Sequence, residues 1–326
     1  KAMMDQLVVQ PNALDDVKCA LLQITGEDEK KKAIVQKQIT KRITLQPDNP
    51  YWEELLTWVS IQKGEYQGAY QQITALDKKL KEEGDRVIGF SKTAAAANQY
   101  AIALEGYKYV MAKGSSGPMY EEAWEGKIRV LQKQLEGKKP VDQKLLAATL
   151  KEYATFLNEY PQYIVSPLIR DYAKVEARYG LNADTAIALL ERAINAPNAR
   201  KDFIGNAKLD LGDYYLLKGK VWDASLIYSQ VDKAFREDLL GEEARFRNAK
   251  LAYYRGDFKW AQNQLAVLKA STTELIANDA LYLSVLITEN IPSDSNMAPL
   301  LRFAAADLLL FQNQTAASDQ LLDSIS

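Results

Sequence analysis

The sequence predicts an all-α protein built as a chain of antiparallel helical hairpins, and three observations predict it. Apolar residues recur at spacings of three and four along almost the whole chain, and sustained period-two alternation is rare. Short breakers interrupt that pattern every 15 to 25 residues or so, which leaves room for helices of roughly 12 to 20 residues and none for strand runs. Between the breakers the composition leans on Ala, Leu, Lys, Glu and Gln, side chains that lose little freedom in a helix.

Taken in order, the breakers are Thr25-Gly26-Glu27-Asp28, Gln46-Pro47-Asp48-Asn49-Pro50, Lys63-Gly64, Glu83-Gly84-Asp85 and Gly114-Ser115-Ser116-Gly117-Pro118. They continue with Glu136-Gly137-Lys138-Lys139-Pro140, Tyr160-Pro161, Gly180-Leu181-Asn182, Ala196-Pro197-Asn198, Lys218-Gly219, Arg255-Gly256 and Ile291-Pro292-Ser293. They delimit about sixteen helices. Glycines late in a breaker suit the left-handed position that closes a helix, and Pro118 and Pro140 suit the first turn of the next one.

A repeat underlies the hairpins. Its clearest copy is Leu211-Gly212-Asp213-Tyr214-Tyr215-Leu216-Leu217-Lys218-Gly219-Lys220-Val221-Trp222-Asp223-Ala224-Ser225-Leu226-Ile227-Tyr228. Small Gly212 and Ala224 stand twelve residues apart, where the two helices of a hairpin must cross closely, with Tyr215 and Tyr228 filling the groove beside them. Ala249, Gly256 and Ala261 repeat that frame, as do Thr57, Gly64 and Ala69. Ala305 with Ala317 is a degenerate copy, and Ala186, Leu190 and Ala193 before Pro197 read as the second helix of a pair. Residues 273–289 form a helix with no partner in this frame, so either it is an extra helix or the last frame is misplaced.

Leu211, Gly212, Tyr215, Gly219, Ala224 and Tyr228 fall at the spacing of the tetratricopeptide repeat family, which this chain resembles over about half its length. Residues 205–290 look like the arrays of bacterial cell-envelope proteins. The resemblance implies a right-handed α-solenoid whose groove is lined by the first helix of each pair. Carried over position by position, that groove takes Glu54, Trp58 and Gln62 from the early repeat. From the later ones it takes Asn206, Asp210, Asp213 and Leu217, then Glu243, Phe246, Arg247, Lys250 and Tyr254. This mix of aromatic and charged groups suits an extended peptide or a partner helix. It lacks the Lys/Asn/Arg pattern by which some members of the family clamp a C-terminal carboxylate. The chain divides into 1–84 with repeat-like helices, 85–180 with degenerate hairpins and 181–326 with the C-terminal array.

Composition restricts the chemistry. There is no histidine, which removes the commonest general base and metal ligand. The single cysteine, Cys19, allows no intrachain disulfide or cysteine-based zinc site and reads as a small core residue among Val17, Ala20 and Leu21. Formal net charge is −2, so no global field favours nucleic acid. The basic run Lys30-Lys31-Lys32 with Lys37, Lys41 and Arg42 reads as a solvated outer face. Gly114-Ser115-Ser116-Gly117 lacks the Lys-Ser/Thr ending of a phosphate loop, and Asn313-Gln314-Thr315 matches a glycosylation sequon. No run of 18 apolar residues spans a membrane.

The reading is a non-catalytic scaffold without cofactor, whose partners are other proteins or peptides and neither nucleic acid nor, by direct insertion, a membrane. A second reading is an architectural subunit of a membrane-associated complex using a flank of the solenoid. A third is a helical-toroid enzyme acting on polysaccharide. Lys1-Ala2-Met3-Met4 has no signal-peptide core, and the helix at the chain's end has no polar cap. The expectation is a fragment of a longer chain from a bacterial periplasm or envelope.

Overall fold

The computed structural model describes residues 13–136, 140–268, 274–291 and 296–325. The chain start at 1–4, residues 137–139 and 292–293 of two breakers, and residue 273 at the head of the late helix lie outside the described residues. Of the described residues, 80% are helical. Seventeen α-helices and no strand occur among the described residues. No described helix is long and apolar enough to cross a membrane.

The chain forms two compact units, 1–152 and 153–326. In the first, α1 (Leu14–Thr25) pairs with α2 (Glu29–Leu45), α3 (Pro50–Gln62) with α4 (Tyr66–Leu80), and α5 (Asp85–Ala96) with α6 (Tyr100–Met111). Then come α7 (Tyr120–Glu136) and α8 (Gln143–Glu159), the latter running across the division. In the second unit, α9 (Pro167–Arg178) pairs with α10 (Ala183–Ile194), α11 (Lys201–Leu217) with α12 (Val221–Ala234), and α13 (Leu239–Tyr254) with α14 (Phe258–Leu268). The single helix α15 (Glu274–Glu289) follows, and then the hairpin of α16 (Ala298–Phe311) and α17 (Thr315–Asp323).

Helix starts follow local chemistry. Asp28 accepts from the backbone N–H groups of Lys30 and Lys31, Asn49 from Tyr51, Ser166 from Leu168, and Asp238 from Leu240. Pro50 and Pro167 occupy first turns, where a missing N–H costs nothing. Pro118 and Pro140 instead stand two and three residues ahead of α7 and α8, in the links and outside the first turns.

The turns inside the hairpins are more uniform than the sequence suggests. Five hairpins close through the same pair of hydrogen bonds around one left-handed residue: Gly64, Asn98, Gly219, Gly256 or Asn313. In each, that residue's N–H donates to the carbonyl three back, and the next N–H donates to the carbonyl five back from itself, at 2.8 to 2.9 Å. The small crossing position lies seven residues before the turn residue and its partner five after it. The expected pairs Gly212 with Ala224, Ala249 with Ala261, and Thr57 with Ala69 are all buried. A Cβ on Gly212 would lie 2.3 Å from the Tyr228 ring, so the close approach needs glycine there.

Two further copies share this geometry. Ser91 and Ala103 flank Asn98, both fully buried, and Ser91 stands 34 residues after Thr57, the tetratricopeptide period. This places a regular hairpin in the segment expected to be degenerate. In the last hairpin the buried pair is Ala306 and Ser318, and Ser318 Oγ donates to the Ala306 carbonyl at 2.8 Å. The frame on Ala305 and Ala317 is therefore displaced by one residue, because Asn313 and not a glycine marks the turn. The sequon's Asn313 is that turn residue. In the α9–α10 turn it is Leu181, not Gly180, that takes positive φ, which lengthens the link by one residue.

Trp52, Leu55 and Ile39 are fully buried in the α1–α3 core, with Trp52 Nε1 donating to Gln46 at 2.8 Å. Each such side chain contributes about 1.5–3 kcal/mol by leaving water. Cys19 is exposed rather than buried, because the packed stripe of α1 runs through Leu14, Val17, Leu21 and Thr25 and Cys19 lies off it. The basic helix α2 keeps Lys30, Lys31, Lys37 and Lys41 in water, but Lys32 is covered, pairing with Glu29 at 2.9 Å and donating to the Gln62 carbonyl at 3.0 Å.

Candidate binding faces

In the first unit, α1, α3, α5 and α7 all contribute to one groove of about 750 Å³. Lys18 comes from α1, Glu54 and Thr57 from α3, Arg86, Phe90, Lys92 and Thr93 from α5, and Glu122 from α7. Helical spacing aims them to one side: Glu54 and Thr57 are three apart, as are Arg86 and Gly89, and Phe90 and Thr93. The groove is charged but internally paired. Glu54 accepts from Lys18 Nζ at 3.3 Å and pairs with Arg86, which also holds Glu82 at 3.0 Å. Lys92 reaches Glu122 at 2.5 Å. Of the sequence-derived groove residues in this unit, Glu54 lines the groove. Trp58 is half-buried against the α1–α3 core, and Gln62 offers its carbonyl to Lys32. Arg86, Lys92 and Thr93 were missed, because Ser91 and Asn98 hid the frame of α5.

In the second unit the face of α9, α11 and α13 carries a ladder of ion pairs. Asp210 accepts from Arg170 Nε at 2.5 Å. Asp213 accepts from Arg247 at 2.9 Å and from the Tyr228 hydroxyl at 2.7 Å, and Arg247 also holds Glu243 at 2.7 Å. The juxtaposed acidic and basic strips thus satisfy each other. Burial raises the Asp213 pKa above the usual aspartate value, against the opposing pull of Arg247 and Tyr228. A recess of about 270 Å³ remains between Arg170, Lys174, Arg178, Asp210, Asp213 and Tyr214. Asn206 donates to the Asp202 carbonyl of its own helix at 2.9 Å, and Phe246 is half-buried against the core.

The aromatic end of this face is covered. Tyr254, expected to line the groove, is 7% exposed and belongs to the core. Its ring lies 6.4 Å from that of Phe311 in α16 and carries Lys250 Nζ at 5.6 Å. A helical wheel places Tyr254 on the first-helix face correctly, but it carries no information that another segment returns to that face.

No known family profile matches this chain, and no curated protein matches it. Among solved structures, it is similar to a signal-transduction ATPase with numerous domains bearing a tetratricopeptide-repeat sensor, from Pyrococcus horikoshii. The TM-score is 0.52 at 13% identity over 97% of this chain and 52% of the other, so the chain spans about half that protein's length. The apo form of the quorum sensor NprR from B. thuringiensis gives a TM-score of 0.47 at 13% identity over 97% of both chains. NprR in complex with its cognate peptide NprX gives 0.40 at 13% identity over 97% of both. Five like-built hairpin turns, a buried pair of small residues at each crossing and the likeness to the Pyrococcus protein agree: the chain has the fold of the tetratricopeptide-repeat proteins.

Proposed function

We propose that this chain is a non-catalytic scaffold that binds partner proteins across the first-helix faces of its hairpins. The observation that carries the reading is the groove of the first unit, to which α1, α3, α5 and α7 each bring charged or polar side chains. Such a face offers a partner segment alternating sites for acidic, basic and apolar groups along its length. The complete absence of histidine supports a role without acid–base catalysis. A periplasmic or envelope location rests on the sequence resemblance, and fractionation of the native cell tests it.

A second reading, an architectural subunit using a flank, is favoured by one observation. On the opposite, second-helix side, Trp222 is 70% exposed and Leu226, one turn on, is 59% exposed. The Arg255 guanidinium lies over the Trp222 ring, 3.8 Å from its centre. Photo-crosslinking residues at Thr93 and at Trp222, in separate full-length variants, discriminate the two. Adducts from Thr93 are expected under the scaffold reading. Adducts from Trp222 with none from Thr93 transfer the function to the flank.

A further inference from the structure

The α16–α17 hairpin does not extend the array. The position next to α14 is already filled by α15, which packs on α13 and α14 as the first helix of a following repeat does. Instead α16 packs on α13, and its far end reaches the first helices of the two earlier hairpins. Phe311 lies against Tyr254 of α13 and under the Arg178 guanidinium of α9, 5.7 Å from the ring centre. Gln312 Nε2 donates to the Leu216 carbonyl at the end of α11, 2.9 Å away and 96 residues earlier in sequence. At the turn after α13, a Cβ on Gly256 would lie 2.2 Å from Leu301 Cδ2, so α16 passes close over that turn. The contacting stripe of α16 is Leu300, Ala304, Leu308 and Phe311, spaced by four, four and three. Beside it, Asp307 is half-buried and within electrostatic reach of Lys250, Tyr253 and Tyr254. The end of the first-helix face thus holds a helix that matches it in shape and apolar spacing, with Asp307 in the field of Lys250.

We propose that α16 is a built-in occupant of this face, and that the partner of the second unit is an amphipathic helix of the same pattern. That partner carries apolar groups in the register of Leu300, Ala304, Leu308 and Phe311, with an acidic group at the Asp307 position toward Lys250. This rests on the scaffold reading above and deepens it. The partner competes with the chain's own hairpin, so apparent affinity is reduced by the fraction of chains in which the hairpin is undocked.

The probe is a synthetic peptide of residues 296–313, titrated into the full-length chain and into the full-length variant Phe311→Ala/Gln312→Ala. The variant is expected to bind the peptide at least about tenfold more tightly than the parent, since its own hairpin no longer competes. A peptide carrying Phe311→Ala is expected to lose that binding. Equal binding to both chains, or none to the variant, overturns the proposal. Should the double variant unfold, Lys250→Glu in the full chain serves in its place: it opposes Asp307, and a peptide with Asp307→Lys is then expected to bind more tightly than the native peptide. Failure to prefer the Lys peptide overturns the proposal equally. Hydrogen exchange on the parent gives a second readout, with α16 and α17 expected to open before α11 to α14. A single common opening of all these helices shows the hairpin to be fixed core and overturns the proposal as well. Crosslinks from Thr93 in the first unit do not depend on α16, so the scaffold reading survives or fails separately.

Discussion

The two units use the same hairpin and treat its first-helix face in opposite ways. In the first, that face is an open groove whose charges, Glu54, Arg86, Lys92 and Glu122, keep contact with water. Its fully buried carboxylate lies elsewhere: Asp77 of α4 accepts from the Tyr109 hydroxyl at 2.7 Å and pairs with Lys113 at 2.6 Å. In the second, the first-helix face itself carries Asp213, whose pKa burial has raised, and α16 covers the end of that face and brings Asp307, likewise raised by burial, with it. The difference shows how one repeat geometry serves two ends. Paired charges left in water keep a face available, whereas an apolar stripe supplied by the chain itself closes it.

The largest effect that sharpens this contrast is at Asp77. Lys113→Met leaves that carboxylate buried with only Tyr109, and the first unit is expected to lose about 3 kcal/mol, as breaking a buried pair does. Chemical denaturation monitored by hydrogen exchange on α4 and α6 checks it. A loss no larger than that of a surface pair would mean that Asp77 is not held by Lys113 in solution.

Next come the crossings, where the units are expected to behave alike. Ala69→Leu and Ala224→Leu each push a larger side chain into a fully buried contact, costing roughly 1–3 kcal/mol. Thermal melts of the two variants test the shared frame. If one melts like the parent, the two hairpins do not share one geometry.

A smaller effect is pH-dependent and belongs to the second unit. Burial raises the pKa of Glu176, Asp213 and Asp307, so their folded state binds more protons than the unfolded chain. Their contribution therefore falls as pH rises from the ordinary values, 3.8 for the aspartates and 4.5 for Glu176, through the raised ones. In the first unit Glu65 runs the other way. Its hydrogen bond from Lys63 lowers its pKa, and that contribution is lost as pH falls. Exchange rates corrected for intrinsic pH dependence are expected to show α16 opening more readily at neutral than at mildly acid pH. The reverse order would break the assignment of Asp307, whose charge acts on Lys250, Tyr253 and Tyr254.

The smallest effect is at the ladder. Asp210→Asn removes one half-exposed ion pair with Arg170 and is expected to cost under about 1 kcal/mol. A larger loss in the melting curve would show that the ladder, rather than α16, holds the second unit's face together.

Much of the fold was legible because it is written in local physics. Gly64, Gly219 and Gly256 announce their turns, since glycine takes positive φ without steric cost. Asn98 and Asn313 make the same turn more quietly, and the frames of α5–α6 and α16–α17 were lost or displaced there. The site was less legible. Glu54 lines the first groove as the repeat frame implied, but its neighbours Arg86 and Lys92 needed the α5 frame to be seen. Asp210, Asp213, Glu243 and Arg247 stand on the expected face, though joined to one another and to Arg170.

The sequence by itself determined the run of antiparallel helices, most of the breaks between them, and which residues cross closely at the three glycine-marked turns. Periodicity and turn chemistry act over a few residues and need no knowledge of the rest of the chain. Only the tertiary structure decided what each stripe meets. Leu300, Ala304, Leu308 and Phe311 require burial, but hydrophobic burial has no direction and would be met as well by α15 as by α13. The return of α16 to Tyr254, Arg178 and the Leu216 carbonyl rests on contacts between residues some 60 to 130 positions apart. No local pattern encodes a pairing at that separation, and it is this pairing that covers the end of the second unit's face.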